Sequence, residues 1–236
     1  MKIEYFDNYT VLSTKAADLI GTALIKKPDL LLCTASGSSP AMTYNIFEKK
    51  YTENPEPCKR LRILKLDEWG GISMANPQSC EIFLQKNLIR PLNISPERYI
   101  SFNSNPEQPE QECARISSFL LSNGPVDVCV LGLGLNGHIA FNEPGNFLMP
   151  DCHVAKLSEK SMSHPMAKEM GELPTYGLTI GMGDILQSKK IILIIAGTGK
   201  KEIVKEFLSG KITTQLPASF LWTHPNVVCL VDKTSL

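Results

Sequence analysis

Long hydrophobic runs are missing from this 236-residue chain, and so is an excess of either charge. No apolar stretch is long enough to cross a bilayer as a helix, and the opening MKIEYFDNYT lacks the apolar region of a secretion signal. A soluble, cytoplasmic protein is the expectation. Lys plus Arg and Asp plus Glu number 24 each, with no basic block, so neither nucleic acid nor a membrane surface is expected as a partner. The seven cysteines are scattered, odd in number and never spaced as C-x-x-C, which argues against a disulfide framework and against zinc. Cys33, Cys129 and Cys229 stand inside apolar runs, where a free thiol behaves as a small hydrophobe. No repeat, biased tract or shift of composition divides the chain, and one domain spanning residues 1–236 is expected.

What is present is an ordinary core: 43% hydrophobic and 20% charged residues, deployed as short apolar runs between helix-like stretches. Leu30–Thr34, Ile63–Leu66, Asp127–Leu131, Lys190–Ala196 and Val227–Val231 read as buried strands. Helical spacing links Leu12, Ala16, Leu19 and Ala23, then Ile82, Phe83, Lys86 and Ile89, and later Ile203, Phe207 and Leu208. Such alternation predicts a doubly wound, three-layer α/β/α domain with a mostly parallel, Rossmann-like sheet. Ligands of such sheets bind beyond the carboxyl ends of the strands. Four segments follow strands there: Ala35–Pro40, Asp67–Gly71, Gly132–Gly145 and Gly197–Lys200.

Each segment carries groups with chemical use. Ser36, Gly37, Ser38 and Ser39 join a strand to a helix, an arrangement that turns backbone N–H groups toward an anion; an ordinary turn with a serine cap reads equally well. Asp67 and Glu68 are adjacent acids at a strand end, so their side chains diverge and one can face a site. The alternative is a capping Asp beside a solvated Glu. Gly132, Gly134 and Gly137 satisfy G-x-G-x-x-G, but Asn142-Glu143-Pro144-Gly145 stops any helix that a dinucleotide fingerprint requires. The glycines are expected instead to let a substrate approach. His138 followed by Glu143 offers an acid–base pair, against a histidine held by loop carbonyls. Lys200, at a helix start where the dipole disfavours a cation, is either solvated or held there for an anion. His153 and His224 read as structural, while spacing leaves His164 open.

Asp67-Glu68-Trp69, the run Gly134–Gly145 (GLNGHIAFNEPG) and Leu178-Thr179-Ile180-Gly181 resemble the glucosamine-6-phosphate deaminase family, in order and across essentially the whole chain. Trp69, Ser79-Cys80-Glu81 and Pro217–Trp222 resemble its galactosamine-6-phosphate isomerase (deaminase) branch. The resemblance implies an enzyme that isomerises and deaminates an amino-sugar 6-phosphate, galactosamine 6-phosphate preferred, to a ketose 6-phosphate and ammonia. It implies Asp67 as the base between C2 and C1, His138 as the ring-opening group and Glu143 as the carboxylate that tunes it. Lys200 and Ser36–Ser39 would hold the phosphate. It implies no cofactor and no metal, and a small-molecule sugar phosphate as the partner; the sequence leaves a monomer and a small homo-oligomer both open.

Two positions depart from the glucosamine enzymes. Asn136 stands where the best-studied members carry Asp, leaving Glu143 as the main charged partner of His138. His164 stands where they place an Arg on the phosphate, and a His is a weaker, pH-dependent phosphate ligand. The rival readings are a glucosamine-6-phosphate deaminase and, further off, a 6-phosphogluconolactonase, which shares the fold and a similar glycine–histidine loop, or a non-catalytic sugar-phosphate sensor.

Overall fold

Alternate residues of the apolar runs face opposite ways, and both faces are covered. Leu31, Cys33, Cys129, Leu131, Leu193 and Cys229 join one buried cluster, whereas Leu32, Val128, Val130, Ile192, Ile194 and Leu230 join another. A strand buried on both faces needs an unbroken apolar sequence, which these runs supply. The computed structural model describes residues 1–236. In chain order its elements are β1 (Lys2–Phe6), α1 (Tyr9–Lys26), β2 (Leu31–Thr34), α2 (Ser38–Thr52), β3 (Arg62–Lys65), β4 (Asp67–Gly70) and α3 (Cys80–Leu84). There follow β5 (Tyr99–Ile100), α4 (Pro109–Asn123), β6 (Val128–Gly132), β7 (His153–Ala155), α5 (Glu159–Met162), α6 (Pro165–Lys168) and β8 (Tyr176–Thr179). The chain closes with α7 (Met182–Leu186), β9 (Ile191–Ile195), α8 (Lys201–Leu208) and β10 (Val227–Asp232).

Seven strands form a wholly parallel sheet in the order β1-β10-β9-β6-β2-β3-β5. Local chemistry sets the covering helices. In α1, Asn8 accepts a hydrogen bond from the Val11 N–H at 3.0 Å, and Leu12, Ala16, Ile20 and Leu24 form its buried stripe. From β2 the chain moves outward through β3 to β5, then crosses back to lay β6 on the other side of β2 and continues outward to β9 and β10. The direction of winding therefore reverses between β2 and β6. At that point the connections leaving the two strands diverge, and a crevice opens beyond their carboxyl ends.

The doubly wound sheet was legible in the sequence, but the structure adds three features. Edge strands β1 and β5 are mostly half-exposed and carry little apolar pattern. The helix predicted around Ile82–Ile89 is a short α-helix that continues as a π-helical turn, Gln85–Ile89. Finally, Asp67–Gly70 is not a loop. It is strand β4 of a separate antiparallel sheet, β4-β8-β7, in which Asp67 pairs with Thr179. A third buried cluster, including Trp69, Cys80, Phe141 and Ala155, packs around this small sheet.

Candidate active site

The crevice between β2 and β6 is a cavity of about 390 Å³, walled by the segments that follow β2, β3, β6 and β9. Asp67, His138, Ser36–Ser39 and Lys200 all line it, as do Gly132, Gly134 and His164. Asn136, Glu143 and Gly137 stand behind the wall. Gly137 has φ +82°, and a side chain there would strike Leu216 at 2.2 Å, so this glycine serves a turn packed on the neighbouring loop.

One end of the cavity suits an anion. Helix α2 begins at Gly37, whose φ of +97° turns the chain sharply off β2, and no side chain caps its first turn. The serine cap envisaged from the sequence is absent, because Ser38 and Ser39 already lie within the helix. Its leading N–H groups are thus left for a ligand. Lys200 lies opposite, its Nζ 3.4 Å from Ser39 Oγ, and burial brings its ammonium down to about 8. His164 caps α6: its Nδ1 accepts the Met166 N–H at 3.3 Å, which places the proton of the neutral ring on Nε2. That edge of the ring lies beside Gly37. Burial, with the positive fields of His138 and Lys200, holds His164 below its ordinary value.

Asp67 occupies the other wall and is 9% exposed. Burial pushes its carboxyl up to about 7, with the Glu68 carboxylate adding to the shift and the Lys65 ammonium opposing it. Glu68 points the other way, as alternation along β4 requires, and is fully buried rather than solvated. It accepts the N–H groups of Trp69, Cys80 and Glu81 at 2.8–2.9 Å and the Lys65 ammonium at 2.7 Å. Glu81 closes the network, 2.8 Å from the same ammonium and 2.9 Å from the Tyr99 hydroxyl. Burial opposes the charge on Lys65, but the two carboxylates outweigh it and hold the ammonium above its ordinary value. Cys80 links this network to the cavity: Ser36 donates to its Sγ at 2.9 Å, and Sγ lies 4.0 Å from Asp67 Oδ1.

His138 enters from the glycine-rich turn after β6. The turn closes on Gly137 N–H to Gly134 O (3.0 Å) and Gly134 N–H to His138 O (3.1 Å), and no helix follows. The imidazole lies directly over Gly134, where an added Cβ would meet its Nε2 at 2.4 Å. Only a glycine leaves room for the ring. Behind it, Asn136 accepts the His138 N–H at 3.2 Å and donates to Glu143 Oε2 at 2.9 Å. Burial would raise the Glu143 carboxyl, but the adjoining His138, Ser161 and Asn136 together bring it down to about 2.

The chain matches the family described as glucosamine-6-phosphate isomerases/6-phosphogluconolactonase over residues 9–229. AgaI of Escherichia coli (strain K12), which carries a provisional deaminase name, is 38% identical over 230 residues, covering 98% of this chain and 91% of its own length. The chain belongs to the glucosamine-6-phosphate isomerase/6-phosphogluconolactonase family. Within that family, the glucosamine-6-phosphate deaminase of Thermoanaerobacter pseudethanolicus is 34% identical, covering 99% of this chain and 93% of its own. A solved monomeric glucosamine-6-phosphate deaminase superposes with a TM-score of 0.92 at 32% identity, covering 99% of this chain and 98% of that one. The 6-phosphogluconolactonase of Trypanosoma brucei shares the fold, with a TM-score of 0.78 at 20% identity over 99% of this chain and 96% of its own.

In this member of the family the cavity also gathers residues that the sequence did not single out for chemistry. Lys160, Ser161, Pro165 and Met166 come from α5 and α6, and Trp69, Cys80 and Phe141 come from the margin of the small sheet. Only Ser158-Glu159-Lys160-Ser161, a serine-capped helix start close to His164, carried any local signal for the first group. His224 is structural as read, with Nε2 2.7 Å from Ser188 O, and His153 lies on β7 with Nδ1 2.9 Å from Asp151 O. No three His, Cys, Asp or Glu side chains cluster in a way that could hold a metal ion.

Proposed function

We propose that this chain isomerises and deaminates an amino-sugar 6-phosphate, releasing ammonia and a ketose 6-phosphate. The observation that carries this reading is the division of one cavity into two ends. An uncapped helix start with Lys200 offers to bind an anion at one end, while Asp67 and His138 face the space at the other. A hexose phosphate has the matching polarity, its C6 phosphate remote from C1 and C2.

The chemistry needs two proton transfers in sequence. A closed sugar ring exposes no carbonyl, so His138 first moves a proton from the C1 hydroxyl to the ring oxygen. The aldehyde so released makes the C2 proton acidic. Asp67 takes that proton from C2 and returns it to C1 while the amine gives up a proton to the C1 oxygen, leaving a C1 hydroxyl and an imine at C2 that adds water and loses ammonia. A carboxyl at about 7 suits this shuttle, because it is ionised often enough to accept the proton and basic enough to hold it. Glu143 stays ionised behind His138 and faces the positive charge that the ring carries while it passes the proton. Lys200, His164 and the start of α2 hold the phosphate, and this remote binding keeps C1 and C2 in register.

Galactosamine 6-phosphate is the preferred epimer in this reading, supported by the pattern of Trp69, Cys80, Glu81 and Phe220–Trp222. The two epimers differ only at C4, where a site that hydrogen-bonds one hydroxyl orientation discriminates strongly. The deciding experiment measures ammonia release from both amino-sugar 6-phosphates by the purified chain without added metal. Hydrolysis of 6-phosphogluconolactone with no ammonia from either amino sugar would overturn the assignment, and equal kcat/KM for the two epimers would remove the galactosamine preference.

A further inference from the structure

The His138–Glu143 pair is close enough to attract but is not joined by a hydrogen bond. His138 Nδ1 and Glu143 Oε2 stand 3.6 Å apart, beyond a hydrogen bond. Both carboxylate oxygens already have other partners: Asn136 Nδ2 on Oε2, and the Ser161 hydroxyl with the Ser158 N–H on Oε1. The hydrogen-bonding group within reach of His138 Nδ1 is Ser161 Oγ, at 3.3 Å. Ser161 is 2% exposed and belongs to α5, the segment that also carries Lys160 to the cavity and runs directly into His164.

We propose that Ser161 is a positioning residue that relays between Glu143 and His138 and fixes the tautomer of His138. The inference rests on the deaminase reading for its chemistry and adds a residue to it. A hydroxyl has one proton to give. The Ser161 proton goes to Glu143, the strongest acceptor beside it, so the Oγ lone pairs face His138 Nδ1 and Ser158. An Nδ1 that meets a lone pair must carry the hydrogen. Nε2 is then the bare nitrogen, and it lies on the side of the ring over Gly134, at the cavity wall. A neutral His138 with a free Nε2 is the form able to take the C1 hydroxyl proton. The serine bridges the gap while the carboxylate keeps its bonds from Asn136 and Ser158.

The arrangement also ties proton transfer to the anion end of the site. Ser161 and His164 are three residues apart, joined by the His164 N–H to Ser161 O bond of 3.0 Å. Whatever draws His164 onto a phosphate thereby bears on the hydroxyl that sets the tautomer.

The test compares the parent with Ser161→Ala and Ser161→Thr. In the parent, nitrogen-15 NMR of the imidazoles is expected to show His138 as the Nδ1–H tautomer. Ser161→Ala should convert it to a mixture with Nε2–H and lower kcat by roughly 10- to 100-fold, the range for losing one hydrogen bond to a charged group, with KM nearly unchanged. Ser161→Thr keeps the hydroxyl and should retain both the tautomer and most of kcat. An Nδ1–H tautomer in Ser161→Ala, or equal losses in the Ala and Thr variants, would overturn the proposal. Because the readout is relative to an active parent, absence of ammonia release in the parent would instead reject the functional reading, and the tautomer comparison would still decide the role of Ser161.

Discussion

Two carboxylates serve the same cavity, and their surroundings push them in opposite directions. Asp67 sits on a buried strand with the Glu68 charge beside it and rises to about 7. Glu143 is buried too, yet Asn136, Ser161 and Ser158 surround it with donors beside the His138 ring, and it falls to about 2. Burial is common to both, so the difference lies in who provides hydrogen-bond donors. Among the site contacts described above, Asp67 has only the thiol of Cys80, at 4.0 Å. The neighbour that might have neutralised it, Lys65, is held by Glu68 and Glu81 instead. A carboxyl kept short of donors is able to exchange a proton near neutrality, whereas one saturated with donors serves as a fixed negative charge.

Removing each acid in turn should separate these roles. Asp67→Asn preserves shape but removes the only proton carrier assigned to C2 and C1, and turnover should fall by about 10²–10⁴-fold with KM little altered. Glu143→Gln should be milder in turnover, since His138 remains. Steady-state kinetics of ammonia release checks both, and near-parental kcat in Asp67→Asn would mean that another group moves the C2 proton.

Stability should respond with opposite signs. Asp67 has a higher pKa folded than unfolded, so the folded chain binds its proton more tightly between about pH 4 and 7, and stability falls as pH rises through that window. At pH 8, Asp67→Asn should therefore be more stable than the parent, by as much as about 4 kcal/mol, with the difference vanishing near pH 4. Glu143 has the lower pKa when folded; its contribution is present above its unfolded value of 4.5 and is lost as pH falls toward about 2. Glu143→Gln should melt several degrees below the parent at pH 8, with the gap closing in acid. Thermal melts across pH decide this, and a shift of the same sign for both variants would break the contrast.

The acid limb of kcat/KM offers a finer check. Asp67 must be ionised to accept a proton, so the rate should fall about tenfold per pH unit below a midpoint near 7. A midpoint close to 4 would mean that Asp67 is better solvated than its buried strand suggests.

How much of this contrast could be read beforehand depended on range. The five buried strands announced themselves as apolar runs, and the glycine-rich turn with its His and Glu was visible as a local motif. Strand β4 was not, because Asp-Glu-Trp-Gly has the composition of a turn and becomes a strand by pairing with β8, over a hundred residues away. Lys65 is the one polar residue within the apolar run Ile63–Leu66. Its burial is matched by two carboxylates, Glu68 three residues on and Glu81 sixteen residues on at the start of α3, whose N–H Glu68 accepts. Ser161 likewise reads locally as part of a helix start, and its contact with Glu143 spans eighteen residues.

The smallest effect concerns His164. Burial and nearby positive charge depress its pKa in the free protein, whereas a bound phosphate dianion favours the protonated ring. KM should therefore rise as pH climbs through its titration, and His164→Arg should flatten that rise by a few-fold, since guanidinium stays charged throughout. Superimposable KM profiles would leave Lys200 and the start of α2 as the whole anion site.

The small antiparallel sheet carries a mechanical consequence. Asp67 belongs to β4, while the anion cradle and His138 follow strands of the large parallel sheet, so a molecule reaching from Lys200 to Asp67 stitches two sheets together. The seam is otherwise spanned by bonds such as Ile180 N–H to Leu66 O at 3.1 Å and Phe141 N–H to Thr179 Oγ1 at 3.2 Å. Occupancy should therefore slow deuterium uptake along β4 and β8, on the far side of the seam from Lys200, and leave the distant edge strand β1 exchanging as before.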